Sequence, residues 1–286
     1  MMESTVQAVT VVIPCYNDGA FIMDALNSIL RQTVLPERII IIDDGSGAET
    51  MSVLKSIKNN IVEVVYQTNQ GVCTARNNGI GKATSSYILT LDADDIFEPT
   101  FIEKAKHILD SDMKVGVVCC HYKEFGNSSK NKDIIKPKGK ITQDFLVKNN
   151  GVASALFRKK CWEEVNGYDV NFDKGYEDWD FWLSVLSQGW EMRIIQEPLF
   201  NYRKKIHSRD TMALAQFDKE LKMKIFLKHK KVYESSIDVF AQQMILRNTM
   251  LVTNLNKTKE GLEFQLGKII LKPIRIIKRL LFPSNE

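Results

Sequence analysis

Apolar residues in this chain arrive in short runs closed by polar residues, and these runs alternate with stretches whose apolar positions recur at helical spacing. Val9 to Pro14, Arg38 to Asp43, Val62 to Tyr66 and Tyr87 to Leu91 have the length and β-branched content of buried strands. Between them, Phe21 to Gln32, Glu49 to Lys58 and Val72 to Lys82 carry helical patterns. This βαβ rhythm predicts an α/β fold with a largely parallel sheet flanked by helices. Lys114 to His121 reads as a further strand, Val152 to Phe157 as strand-like, Glu177 to Gln188 as a helix and Glu191 to Tyr202 as extended chain. Lys123 to Lys140 is polar, rich in lysine and interrupted by Gly126, Pro137 and Gly139, which reads as a loop. From Thr211 the pattern is helical to the end. The expected organisation is a body over residues 1–205, in halves of about 1–110 and 111–205, followed by a helical extension over 206–286.

Composition narrows the class. An apolar fraction of 44% and a charged fraction of 26% suit a globular protein, and a net charge of +4 gives no reason to expect a nucleic-acid partner. The first apolar stretch has no basic flank and runs straight into strand-like sequence, so no signal peptide is expected. No apolar run is long enough to span a bilayer. The five cysteines lack paired zinc spacing, and adjacent Cys119 and Cys120 are a poor start for a disulfide framework. Reduced thiols in a cytosolic protein are the expectation.

Candidate chemistry gathers where the strands end. The run Tyr87 to Leu91 stops in Asp92, Ala93, Asp94 and Asp95, at the carboxyl end of a strand, where open α/β sheets bind ligands. Grouped carboxylates repel one another unless a cation neutralises them, and a hard divalent ion prefers oxygen ligands. The alternative is that Asp95 caps a helix from about Glu98. Four isoleucines, Ile39 to Ile42, likewise end in Asp43, Asp44, Gly45 and Ser46. These acids suit either ligand N–H and hydroxyl donors or the capping of a turn. The first strand closes on Pro14, Cys15, Tyr16 and Asn17, so three strands present polar loops at one rim.

Taken in order, P-C-Y-N at 14–17, DDGS at 43–46, N-Q-G at 69–71, A-R-N-x-G at 75–79 and LDADD at 91–95 resemble the family 2 inverting glycosyltransferases with the GT-A fold. The likeness continues through Ala155 to Arg158, Trp162, Gly167 to Asp169 and Gly175 to Trp182, over roughly residues 8–203. It implies a nucleotide-diphosphate sugar donor, with uridine as the default base. It also implies a Mn²⁺ or Mg²⁺ ion and a glycan or lipid-linked glycan acceptor, as in bacterial surface-polysaccharide enzymes. Carried over residue by residue, Pro14, Tyr16 and Asn17 match the first nucleotide-binding loop, and Asp43 with Asp44 the base- and ribose-recognising pair. Gly71 and Arg76 would face the nucleotide or diphosphate. Asp92, Ala93 and Asp94 match the Asp-x-Asp element, with Asp94 the direct metal ligand. Asp178 would be the catalytic base, with Glu177 and Trp179 on the acceptor side. Relatives carry Tyr-Arg-x-His-x-x-Ser after the last core strand, whereas here His207 stands two positions later, after Lys204 and Lys205. His207 is therefore either a metal ligand or a solvated residue, and the two lysines offer phosphate contacts in its place.

One further signal lies at 264–282, where Lys268, Lys272, Arg275 and Arg279 share a helical stripe and apolar residues fill the opposite side. Such a helix suits the surface of an anionic membrane, here the inner face of the cytoplasmic membrane, or packing against protein. Two other functions fit an acidic α/β site, a sugar nucleotidyltransferase and a degenerate nucleotide-sugar-binding scaffold. The first lacks its Gly-rich phosphate loop here, and the second would not need Asp92, Asp94 and Asp178 together.

Overall fold

The computed structural model describes residues 8–126, 133–205, 213–262, 264–266 and 268. Strands β1 (Val9–Cys15), β2 (Arg38–Asp44), β3 (Val62–Gln67) and β4 (Tyr87–Thr90) run parallel, joined by helices α1 (Ile22–Leu30), α2 (Ala48–Ser56) and α3 (Val72–Lys82). The rest of the sheet comprises β5 (Ile96–Phe97), β6 (Val115–Phe125), β7 (Leu156–Arg158) and β8 (Glu191–Arg203), giving the order β3-β2-β1-β4-β7-β6-β8-β5. Helices α4 (Phe101–Ser111), α5 (Lys159–Glu164) and α6 (Glu177–Ser187) complete the layers. Because β7 is antiparallel to both β4 and β6, β6 regains the direction of β4, and β8 follows it in parallel. The carboxyl ends of β1, β2, β4, β6 and β8 therefore share one rim, and the candidate loops occupy it.

The isoleucines of β2 are wholly buried, as a strand covered on both faces requires. Gly79 shows how closely α3 lies on the sheet: a Cβ there would come 2.4 Å from Val12 Cγ1 and 3.2 Å from Ile42 Cγ1. Gly81, in the same helix, has nothing within 4 Å. Gly79→Ala is expected to destabilise the protein by about 1–3 kcal/mol through overpacking. Gly81→Ala should be neutral or stabilising by up to about 1 kcal/mol. Equal denaturant midpoints for the two variants would contradict this packing account.

Two elements differ from the sequence expectation. Strand β6 runs on to Phe125 instead of yielding to a loop after His121, because Tyr122 to Phe125 pair with Phe200 to Arg203 and Tyr122 also bridges Ile135. Strand β7 begins at Leu156, not Val152. The chain forms two compact units, the first reaching Ser235. Helices α7 (Asp218–Lys228) and α8 (Lys230–Ser235) belong to the first unit. Lys228 Nζ donates to Asp180 Oδ2 at 2.7 Å and Tyr233 Oη to the Leu146 carbonyl at 2.8 Å. The second unit contains α9 (Ile237–Glu260), none of whose side chains is buried. Among the described residues no helix is long and apolar enough to cross a membrane.

Candidate active site

At the end of β1, Pro14 is buried in the strand, Tyr16 stands 52% exposed on the rim, and Asn17 takes a left-handed backbone with φ 56°. Asparagine tolerates that conformation better than most residues. Asn17 N–H donates to Ser46 Oγ at 2.9 Å, and Asn17 Oδ1 accepts from Gly47 N–H at 2.8 Å. The loops after β1 and β2 are thus stitched together. The two acids ending β2 do different work. Asp43 Oδ1 accepts from Ser46 N–H at 3.2 Å and shapes its own turn. Asp44 accepts from Gln67 Nε2 and Gln70 N–H, both at 2.8 Å, and from Gly71 N–H at 2.9 Å. Its carboxylate organises the N-Q-G loop. Gly71, at φ 85°, then enters α3.

Arg76 lies beneath the rim. Its side chain is fully buried, with Nη2 at 2.7 Å from Asp92 Oδ1 and Nη1 at 3.0 Å from Glu177 Oε1. The guanidinium lies 5.3 Å from the Tyr168 ring centroid, and its Nε has no hydrogen-bond partner among the described residues. Burial alone would favour the neutral form, yet Asp92 and Glu177 raise its pKa well above the ordinary value. Arg76 therefore joins the acid ending the β4 run to the first residue of α6, instead of presenting its charge at the surface of the cleft.

Asp94 meets a different cation. Lys205 Nζ lies 2.8 Å from Asp94 Oδ2 and 2.6 Å from Asp18 Oδ1, bridging two loops of the rim. Burial pushes the Asp94 carboxyl up, the charges of Asp92 and Asp18 push it further, and Lys205 opposes them. Beside it, Ala93 is buried, and Asp95 Oδ1 accepts from Arg203 N–H at 2.7 Å rather than capping a helix, since α4 begins only at Phe101. Arg203 Nε donates to the Asp94 carbonyl at 2.7 Å, and its guanidinium sits 4.6 Å from the Phe21 ring and 4.4 Å from the Phe125 ring. The end of β8 thereby fixes the acidic loop.

Among the described residues no group of three or more His, Cys, Asp and Glu side chains gathers as a metal cage. The acids that are present still fit a Mg²⁺ or Mn²⁺ ion. Such ions take one or two carboxylates and fill the remaining positions with water and phosphate oxygens. Asp18 and Asp94 converge on the Lys205 ammonium while the charge of Asp92 acts on Asp94, which marks a place that favours positive charge. His207 lies outside the described residues.

Helix α6 begins abruptly, after Gly175 at φ 127° and Tyr176 at φ 63°. Its first turn presents Glu177, buried against Arg76, and Asp178, which is half-buried and whose Oδ2 accepts from Asn149 Nδ2 at 2.6 Å. Trp179, Trp182, Leu183 and Leu186 form the buried stripe that their spacing predicts. The Trp179 indole N–H is committed to the Phe145 carbonyl at 2.7 Å, so Trp179 anchors the helix and its ring lies in the core. Asp180 is buried and held by Lys228 at 2.7 Å and His229 Nε2 at 2.8 Å. Sequence reasoning missed Asn149, Asp18 and the Asp180 cluster. Only the E-D-W-D density of acids around Asp180 signals one of them.

The family model for glycosyl transferase family 2 matches residues 10–166, which is more than half of the chain. The chain belongs to that family. Among family 2 relatives, the uncharacterized glycosyltransferase EpsJ of Bacillus subtilis is 26% identical over 219 residues, covering 70% of this chain and 62% of EpsJ. The poly-beta-1,6-N-acetyl-D-glucosamine synthase of Staphylococcus aureus is 36% identical over 118 residues, covering 39% of this chain and 28% of the synthase. This chain thus spans less than two thirds of either relative. The crystal structure of S. aureus TarS 1–349 in complex with UDP-GlcNAc superposes with a TM-score of 0.60 at 17% identity, over 71% of this chain and 60% of that one. The shared GT-A fold accounts for the mixed sheet.

Proposed function

We propose that this family 2 protein moves a sugar from a nucleotide-diphosphate donor, with uridine as its base, to a hydroxyl of a glycan or lipid-linked glycan, with inversion at the anomeric carbon. One observation carries the reading. A buried guanidinium ties Asp92, on the donor rim, to Glu177, the neighbour of Asp178, so donor acid and acceptor helix are fixed relative to one another. The UDP-GlcNAc complex of TarS and the name of the S. aureus synthase support a nucleotide-sugar donor and a polysaccharide product.

In this reading the nucleotide lies along the loops after β1 and β2, beside Tyr16, Asn17 and Asp43. Asp178 takes the acceptor hydroxyl's proton as that oxygen bonds to the anomeric carbon. The bond to the diphosphate breaks on the opposite face, and its electron pair leaves with the nucleotide. Asn149 orients the carboxylate through its bond to Oδ2. A Mn²⁺ or Mg²⁺ ion held by Asp94, with Asp92 beside it, would supply positive charge at the departing diphosphate. Lys205 supplies part of that charge from the chain itself.

Thermal shift against UDP, GDP, TDP and CDP, each with and without Mn²⁺, tests the donor site. Stabilisation by one nucleotide, lost in Asp94→Ala, is the expected outcome. No shift at saturation would remove the proposal. Lys205→Met is expected to lower the metal-free midpoint, because Asp18 and Asp94 lose their shared cation, and to enlarge the stabilisation by Mn²⁺. An unchanged response to Mn²⁺ would separate Lys205 from the cation position. The basic segment 264–282 suits peripheral contact with a membrane, and cosedimentation of the full chain with anionic but not neutral vesicles is the matching observation.

A further inference from the structure

Between β6 and the short turn Thr142–Phe145, the chain forms an extended strap whose residues alternate in burial: Lys136, Lys138 and Lys140 are exposed, while Pro137 and Gly139 between them are buried. This period-two pattern places three lysines on one side, their backbone positions about 6.6 Å apart from one to the next. The strap is held along its length. Tyr122 and Ile135 exchange backbone bonds of 3.0 and 2.8 Å, Gly139 N–H donates to the Asn150 carbonyl at 3.0 Å, and Met192 N–H donates to the Lys140 carbonyl at 2.8 Å. Gly139 is required there, because a Cβ would stand 2.4 Å from two carbons of the Phe145 ring.

A groove of about 350 Å³ lies against this strap, lined by the three lysines, His121, Arg193 and Gln196, with an apolar floor from β8. Among the described residues no carboxylate lines it. Arg193 is matched by Glu191 at 2.5 Å and Asp112 at 3.4 Å, and Lys140 by Glu191 at 3.8 Å. Among the described residues no carboxylate pairs with Lys136 or Lys138. Burial and the charge of Lys136 lower the pKa of His121, and a hydrogen bond with Gln196 opposes them. Among the described residues no Phe, Tyr or Trp lines it to stack against bases.

The strap also leads to the candidate base. Gly139 bonds to Asn150, and the adjacent Asn149 donates to Asp178. We propose that Lys136, Lys138 and Lys140 form an anion track for the acceptor, which is a glycan carrying phosphate or carboxylate groups at repeated intervals. This rests on the transfer reading above for the word acceptor, but the anion site itself stands on the groove alone.

Inorganic tripolyphosphate is the probe, titrated by calorimetry into the full chain saturated with UDP so that the donor site is filled. Changing Lys136, Lys138 and Lys140 together to alanine is expected to weaken binding at least tenfold and to flatten its salt dependence. Changing all three to arginine should retain the affinity. The sites are exposed, and stabilisation by UDP should be the same in all three proteins. Unchanged tripolyphosphate affinity in the alanine variant overturns the track. So does charge-dependent binding seen only with phosphatidylglycerol vesicles, which would assign the lysines to a lipid surface. Absence of UDP stabilisation in the unsubstituted chain would instead count against the transfer reading and leave the tripolyphosphate comparison intact.

Discussion

Asp178→Asn is expected to lower kcat for sugar transfer by about 10²–10⁴-fold, the usual contribution of a positioned general base. The substitution keeps the shape of the side chain, and the carbonyl of the new amide can still accept from Asn149 Nδ2, so the 2.6 Å bond that orients the group survives. What disappears is a group able to take the acceptor's proton. Because Asp178 lies on α6 and the donor loops lie on β1 and β2, stabilisation by UDP should be unaffected, and the loss should fall on kcat rather than on donor affinity. Asn149→Ala should give a smaller loss in kcat, since it frees the carboxylate without removing it. The measurement is initial rate against donor concentration with a fixed acceptor. Undiminished turnover in Asp178→Asn would remove Asp178 as the base, whereas UDP stabilisation without any turnover in the unsubstituted chain would leave a nucleotide-sugar-binding scaffold with an acidic helix start.

The elements that build this site differ in how readily the sequence reveals them, and the difference follows the range of the interactions. Helix α3 occupies Val72–Lys82, as its pattern predicts, because side-chain periodicity is a local property. The buried Ile39–Ile42 run and the α6 stripe are legible for the same reason. Pairing between distant residues leaves no such trace. The partner that turns Arg76 inward is Glu177, 101 residues away, and Lys205 reaches Asp18 across 187. Sequence order put an arginine near a diphosphate site but said nothing about which carboxylates would enclose it. Asp44 illustrates a subtler limit: its position at a strand end is readable, whereas its three donors come from the end of β3 and the loop after it, whose path depends on β3 pairing with β2. The lysine strap read as a loop because alternation of lysine with proline and glycine resembles turn chemistry. Only its bonds to Tyr122, Asn150 and Met192 show it to be extended and fixed.

Arg76→Met should be the most damaging substitution for stability in the candidate site. Methionine keeps much of the apolar stem against Tyr168 but removes the guanidinium between Asp92 and Glu177. Glu177 is 3% exposed, so water cannot replace the lost charge, and breaking a buried pair from one side costs about 3–5 kcal/mol. Against a total stability of about 5–15 kcal/mol, that is enough to unfold a large share of the protein on mild heating. Glu177→Gln combined with Arg76→Met should recover part of the deficit, since it is the stranded carboxylate that carries the cost. Denaturant unfolding of the two single variants and the double variant closes the cycle, with a coupling of about 1–3 kcal/mol expected for residues in contact. If Arg76 instead served the donor directly, Arg76→Met would lose UDP stabilisation while keeping its denaturant midpoint. A strut predicts the reverse order of effects: stability falls first, and catalysis follows because α6 no longer holds Asp178 at a fixed distance from the acidic rim.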